Sequence, residues 1–284
     1  QVSTNRKAIL NWSNHFLPIL LHEREKRNCK YVFTVLTKAH RQAYNAFVRP
    51  RSPKRKLPRY HLYRRFQMNS LHGLLPFGPK PLDTVSIRHA HDQDREGLCH
   101  FILKRTTKLS FHYSDSKETL LREFARLKDF KISDFLIALD SKKNVVGCVL
   151  PWSNQVYQDF IIHSYNGRAL TLYQALRFFS FLGFTHKLPT PVAPLDFKYL
   201  TYFYFENPDI FQSLLSYAWT RLDKNQFLSF SHFKDDYTTR LPKSFIRSKI
   251  KCGLYCLLAP EDPIPEFLKL AQLGRPPEYE PFLI

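Results

Sequence analysis

Glycine is scarce in this chain, 8 residues in 284. Loops that wrap a phosphate in bare backbone need glycine to bring the main chain close, so few places exist to build one. No G-x-x-x-x-G-K-[ST] loop and no G-x-S-x-G elbow occurs, which removes the P-loop and nucleophile-elbow chemistries. Cysteine is limited to Cys29, Cys99, Cys148, Cys252 and Cys256, an odd number with no C-x-x-C pair, and most lie inside apolar runs. That argues against a zinc site and for buried thiols in a reducing, cytoplasmic setting. No run of about 18 apolar residues occurs, so no membrane span is expected, and no signal peptide is visible. The chain opens on Gln1 and holds one methionine, Met68, so it reads as a processed or truncated piece.

Acidic residues are also few, 24 against 43 Lys and Arg, for a formal charge of +19. Such a balance suits an anionic partner: nucleic acid, an anionic membrane surface or a phosphorylated cofactor. A basic protein with its charge spread evenly has the same composition. Hydrophobic residues make up 44% and aromatics 15%, with 25 Phe and 15 Tyr, enough for a globular fold. The length leaves room for one large or two small domains, each with its own core.

What is present is organised around residues 134–152, DFLIALDSKKNVVGCVLPW. Phe135 to Leu139 and Val145 to Leu150 are two apolar runs of strand length, joined by the polar Asp140, Ser141, Lys142, Lys143 and Asn144. That is a hairpin. Both runs are almost continuously apolar, which predicts a strand pair covered on both faces. Pro151 is expected to stop or bulge the second strand. Before the hairpin, Val85 to Arg88 alternates like an edge strand. Acidic Asp92 and Asp94 open a helix, with Leu98, Phe101 and Ile102 at helical spacing. Ser116 opens a second helix with Leu120, Leu121, Phe124 and Leu127 on one face.

The order strand, helix, helix, hairpin, with the phrase VSIRHAHDQDREGL, resembles the opening of a GCN5-related N-acetyltransferase (GNAT) domain. The rest extends the likeness. Residues 156–163 read as a strand, 168–182 as a helix, 198–205 as an aromatic strand and 226–230 and 249–259 as further strands. Asn207 and Pro208 cap a helix running to about Leu222. Upstream, residues 6–25 read as a helix kinked at Pro18, 30–37 as a strand, 39–49 as a helix, and Tyr60 to Tyr63 as a strand. The resemblance implies an α/β fold with a mixed α+β sheet: residues 84–259 as one complete GNAT-like domain and 1–76 as the second half of another. Residues 77–83 are then a linker, overlapping a Gly/Pro-containing stretch at 71–81, and 260–284 a proline-rich extension across the surface. The helix at 6–25 is expected to superpose on the one at 168–182, and the strand at 31–36 on 199–205.

The resemblance also implies a chemistry: acyl transfer from acetyl-CoA, or another acyl-CoA, to an amine. The family binds the cofactor pyrophosphate on backbone amides at a helix start, in a loop close to Arg/Gln-x-x-Gly-x-Gly/Ala. In this chain the matching places are Ser3, Thr4, Asn5, Arg6 and Lys7 in the first unit, with two cations and no glycine, and Ser164 to Ala169 in the second, with one glycine. The first is the expected cofactor site, and a proline-rich loop at 186–194 is a candidate cover for the second. An ordinary helix start explains either segment as well. The family's strand-end Asn and following Tyr fall on His40 and Phe47 in the first unit. In the second, Asn207 keeps its place and the nearest tyrosine is Tyr217, on a different helix face. No catalytic residue is assigned.

Two further clusters stand out. His89, His91 and His100 lie near Asp92 and Asp94, a spacing better explained by a solvated helix start than by a metal. Arg51, Lys54, Arg55 and Lys56 form the densest basic run, followed by Arg59, Arg64 and Arg65 interleaved with Tyr60, Tyr63 and Phe66. That pattern suits single-stranded nucleic acid, the alternative for a non-catalytic module; a solvated loop explains it too.

Overall fold

A computed structural model describes residues 6–37, 41–48, 57–77, 81–109, 111–153, 155, 159–269 and 276–280, with backbone alone for 6–13, 42 and 43. The fold is mixed α/β. In chain order the elements are α1 (Arg6–Lys26), β1 (Val32–Thr37), α2 (Arg41–Phe47), β2 (Arg59–Leu74), β3 (Ser86–His89), α3 (Arg95–Thr106), α4 (Lys117–Ala125), β4 (Leu136–Leu139), β5 (Val145–Trp152), α5 (Arg168–Phe181), β6 (Phe197–Phe205), α6 (Pro208–Thr220), β7 (Phe227–Phe233), β8 (Phe245–Leu258) and α7 (Glu266–Lys269). Two compact units result. One draws on residues 1–67 and 250–274, the other on 68–249 and 275–284, so β2 and β8 each have residues in both.

In the first unit, β1 pairs antiparallel with the end of β8, Val32 opposite Leu257 and Leu36 opposite Gly253. Phe33, Tyr63 and Phe267 pack ring on ring, with centroids 5.5–6.2 Å apart. α1 contains Pro18 and ends at Lys26; two residues on, Asn28 has φ +49°, the left-handed conformation asparagine tolerates after a helix. Arg24 then ties the helix to Asp262 at 2.6 Å.

In the second unit the hairpin forms β4 and β5, antiparallel and with neighbours on both sides, in the order β7-β6-β5-β4-β3. Side chains alternate between two cores, as strand geometry requires. Leu136, Ala138, Val146 and Val149 pack with Ile210, Phe211 and Leu214 of α6. Ile137, Leu139, Cys148 and Leu150 pack with Leu98 and Ile102 of α3 and Leu120 and Phe124 of α4. The continuous apolar runs are therefore explained by helices on both faces. Asp140 closes the turn by accepting from the Asn144 side-chain amide at 3.1 Å and from the Asn144 and Lys142 backbone amides at 2.8 Å, which hold its carboxyl below the ordinary range. Gly147 is where α6 comes closest: a Cβ there would sit 2.6 Å from Ile210 Cγ2 and 2.9 Å from Leu214 Cδ1.

Three expectations need correction. β5 does not stop at Pro151 but runs to Trp152, with Pro151 opposite Leu200; the irregularity falls earlier, between Cys148 and Leu150. Residues 71–74 are strand rather than linker, because Leu71 is fully buried and β2 continues to Leu74. The strand expected at 156–163 is absent from the described residues there, which make only an isolated bridge between Ile161 and Pro194. Phe160 O and Ile162 O accept from the Leu195 and Val192 amides at 2.7 and 2.8 Å, so this stretch is paired with a loop and not with the sheet.

Candidate functional site

β6 and β7 run parallel and are joined by α6, but they pair only at Phe197–Phe227, Lys198–Leu228 and Tyr199–Ser229. Beyond that point they part. Ligands in such sheets sit at the carboxyl ends of parted strands. A cavity of about 410 Å³ opens there, lined by Leu200, Phe203 and Tyr204 of β6 and Phe230, Ser231 and Phe233 of β7. The helix that starts at this cleft is α6, not α5, so the segment Ser164 to Ala169 is not the one facing it.

The start of α6 has no amide left for an anion. Pro208 has no N–H. Asn207 Oδ1 accepts from Asp209 N and Ile210 N, both at 3.0 Å, and Asn207 O accepts from Phe211 N at 3.2 Å. Glu206 and Asp209 add negative charge where the helix dipole would favour an anion. The start of α5 is also taken: Ala169 N bonds Asn166 O, and Leu170 and Thr171 bond Gly167 O. Tyr165 stacks on Tyr173 at 4.4 Å and donates to Pro189 O. Tyr217 accepts from Arg221 at 2.9 Å.

Residues 276–280 of the chain itself build part of the cleft wall. Opposite Val149, β6 carries two residues, Tyr202 and Phe203, because Cys148 pairs with Tyr204 and Leu150 with Thr201. This bulge puts Tyr202 at φ +45°, a costly conformation for a tyrosine. Its N–H donates to Glu280 Oε1 at 2.9 Å. Glu278 lies alongside: Tyr204 donates its hydroxyl to Oε1, Tyr113 N donates to Oε2 at 2.6 Å, and Glu278 N donates to Phe111 O at 2.8 Å. Burial pushes both carboxyls above the ordinary range, Glu280 well above and further raised by its neighbour Glu278; the N–H of Tyr202 and the Tyr204 hydroxyl pull the other way. Burial likewise raises the Tyr113, Tyr202 and Tyr204 hydroxyls.

Residues 276–280 were expected on the surface; Glu280 is instead 4% exposed and part of the cleft wall. The physical reason is the free N–H at the bulge, which needs an acceptor. The cover expected from residues 186–194 does not line this cavity; His186 stacks on Trp219 at 4.4 Å and its amide bonds His72 O. Sequence reading missed Tyr202, Glu278 and Glu280. The one signal was a Glu-Tyr-Glu triplet between prolines, facing a run of aromatics in β6.

Of the residues expected to hold acyl-CoA, Ser3, Thr4 and Asn5 lie outside the described residues, and Arg6 and Lys7 are placed as the first residues of α1. His40 also lies outside them, and Phe47 packs on Tyr60 with ring centres 5.5 Å apart. Arg51, Lys54, Arg55 and Lys56 lie outside the described residues. β2 alternates its faces, so Arg65 is exposed while Arg64 is buried over the Tyr63 ring. Arg59 donates to the Ala259 and Asp262 carbonyls. Tyr63 and Phe66 are core residues, 5% and 1% exposed, and offer no ring face for a base to stack on. Near the three histidines, Arg88 grips Asp94 through two bonds of 2.6 and 2.9 Å, and Asp94 accepts from the His91 amide at 2.7 Å, a helix start in which Arg88 holds the Asp94 carboxyl below the ordinary range.

No family model matches the chain, and no curated protein matches it in sequence. Solved structures do. A GCN5-related N-acetyltransferase from Sphaerobacter thermophilus aligns over 93% of this chain and 71% of its own, with TM-score 0.51 and 9% identity. A functionally unknown conserved protein from Staphylococcus epidermidis aligns over 68% of this chain and 62% of its own, with TM-score 0.36 and 9% identity. At such identity the first likeness is one of fold, and by it the mixed α/β fold of this chain is GNAT-like.

Proposed function

We propose that this chain is an acyl-CoA-dependent N-acyltransferase whose cofactor is held by the first of two related GNAT-like units, the second being a non-catalytic copy. The observation that carries this is the lack of free amides at the second cleft: the bulge amide of Tyr202 is bonded to Glu280, and every amide in the first turn of α6 has a partner or does not exist. The start of α1 differs. Ser3, Thr4 and Asn5 lead into it, Arg6 and Lys7 open it, and its first turn has no acidic residue. The positive dipole end of a helix start and two cations suit a pyrophosphate. In the reaction the amine nitrogen attacks the thioester carbonyl, the C–S bond breaks, and the sulfur leaves as the thiol with the amine's proton.

Calorimetry with acetyl-CoA on the full-length protein tests this. Binding that weakens at least ~tenfold with Arg6→Glu and is unchanged by Arg168→Glu supports the placement. Binding unaffected by Arg6→Glu moves the site out of the first unit. No binding at all favours a non-catalytic module that takes an anionic partner through its excess of positive charge.

A further inference from the structure

Between Trp152 and Phe197 the chain leaves the sheet and builds α5. From residue 160 to 195 it contains no aspartate or glutamate, while Arg168, Arg177 and Lys187 are present. α5 is held down by little: Leu176 is its one buried residue, and Thr185 Oγ1 donates to the Leu176 carbonyl at 2.8 Å. Tyr173, Ala175 and Ser180 are half-buried and the other residues of the helix are exposed. Phe181 is 87% exposed, Phe178 62% and Leu182 47%, with Leu170, Phe179 and Phe184 exposed beside them. Scattered apolar residues on a surface are ordinary, but several large ones on one short helix and its exit mark a docking face.

We propose that α5 and the residues after it form a docking surface for an anionic lipid bilayer, lying in the interface with the phenylalanines and leucines among the acyl chains and Arg168, Arg177 and Lys187 at the headgroups. Charge chooses this occupant. A second copy would bring another chain of net +19 against a segment, 160–195, that has no carboxylate of its own to offset its three cations. A nucleic acid would satisfy the cations and could stack on phenylalanine, but it leaves Leu170 and Leu182 without an apolar acceptor. An anionic bilayer satisfies both. At 14 residues α5 is about 21 Å long, short of the ~30 Å hydrocarbon core, so it lies on the membrane rather than across it. Among the described residues no helix is long and apolar enough to cross a membrane. The inference does not rest on the acyltransfer reading.

The test is co-sedimentation of the full chain with phosphatidylcholine vesicles, with and without ~30% phosphatidylserine. Partitioning is expected to rise at least ~tenfold with the anionic lipid and to fall in ~0.5 M salt. Phe178→Ser with Phe181→Ser, both at exposed positions, is expected to lower it about tenfold with an unchanged circular dichroism spectrum. Arg177→Gln is expected to lower it about fivefold. Partitioning that ignores the phenylalanine pair overturns the proposal. So does a dimer, seen by light scattering, that the same pair abolishes without any vesicle binding. So does binding to a single-stranded oligonucleotide that depends on the pair while vesicles are ignored.

Discussion

The amide of Tyr202 and the carboxyl of Glu280, separated by 78 positions in the chain, meet at 2.9 Å inside the cleft of the second unit. The contact joins an irregular strand to residues near the C-terminal end. It also gives the cleft an acid dependence. Burial raises Glu280 and Glu278 above the ordinary 4.5, so the folded state prefers their protonated forms. Their contribution is complete below about 4.5 and is lost as pH rises through the raised folded values. For Glu278 the Tyr204 hydroxyl, the Tyr113 amide and His112 oppose this and Glu123 reinforces it; for Glu280 the Tyr202 amide opposes it and Glu278 reinforces it. Segment 276–280 is therefore expected to be held more tightly at pH 5 than at pH 8. Hydrogen exchange at Tyr202, corrected for the intrinsic rate at each pH, checks this.

Charge and hydrogen bonding at Glu280 are separable. Glu280→Gln keeps an acceptor for the Tyr202 N–H and removes the buried charge, so at pH 8 it is expected to be neutral or stabilising. Glu280→Ala strands a buried N–H and is expected to cost about 1–3 kcal/mol. Urea denaturation of the two variants at pH 8 gives the comparison, and equal losses would remove the hydrogen bond from the account.

Gly147→Ala is expected to destabilise by about 1–3 kcal/mol, because the added methyl meets Ile210 and Leu214 at less than contact distance. The position is in the middle of a buried strand, so neither side chain has open space to yield into. A chemical-denaturation midpoint unchanged from the parent would mean that α6 sits further from β5.

Asn207→Ala is expected to cost about 1 kcal/mol by uncapping α6. It frees two amides, yet Glu206 and Asp209 remain beside them, so acetyl-CoA affinity is expected to stay within about twofold of the parent. A clear gain in affinity on calorimetry would show that the cap alone had closed the site.

Much of this fold was legible from local pattern. The hairpin at Leu136–Trp152 was readable because two apolar runs with a polar five-residue break admit few other structures. α6 was readable because Asn207 and Pro208 are the residues a helix start selects. Residues 156–163 looked equally strand-like, but a strand also needs a free neighbour, and that is decided by distant parts of the chain. The candidate site was the least legible part. Glu278 and Glu280, between prolines, read as solvated carboxylates. They become buried only because β6 carries one residue more than β5 around Tyr202, a mismatch that neither strand reveals alone.

The most direct measurement is hydrogen exchange by mass spectrometry on the full-length protein, with and without saturating acetyl-CoA. With the Tyr202 amide held by Glu280, peptides covering 200–206 and 276–280 are expected to exchange identically in both conditions, while the peptide that begins α1 at Arg6 slows. Slower exchange at 200–206 together with faster exchange at 276–280 would mean that the cofactor displaces Glu280 and enters the second unit, and would contradict the account.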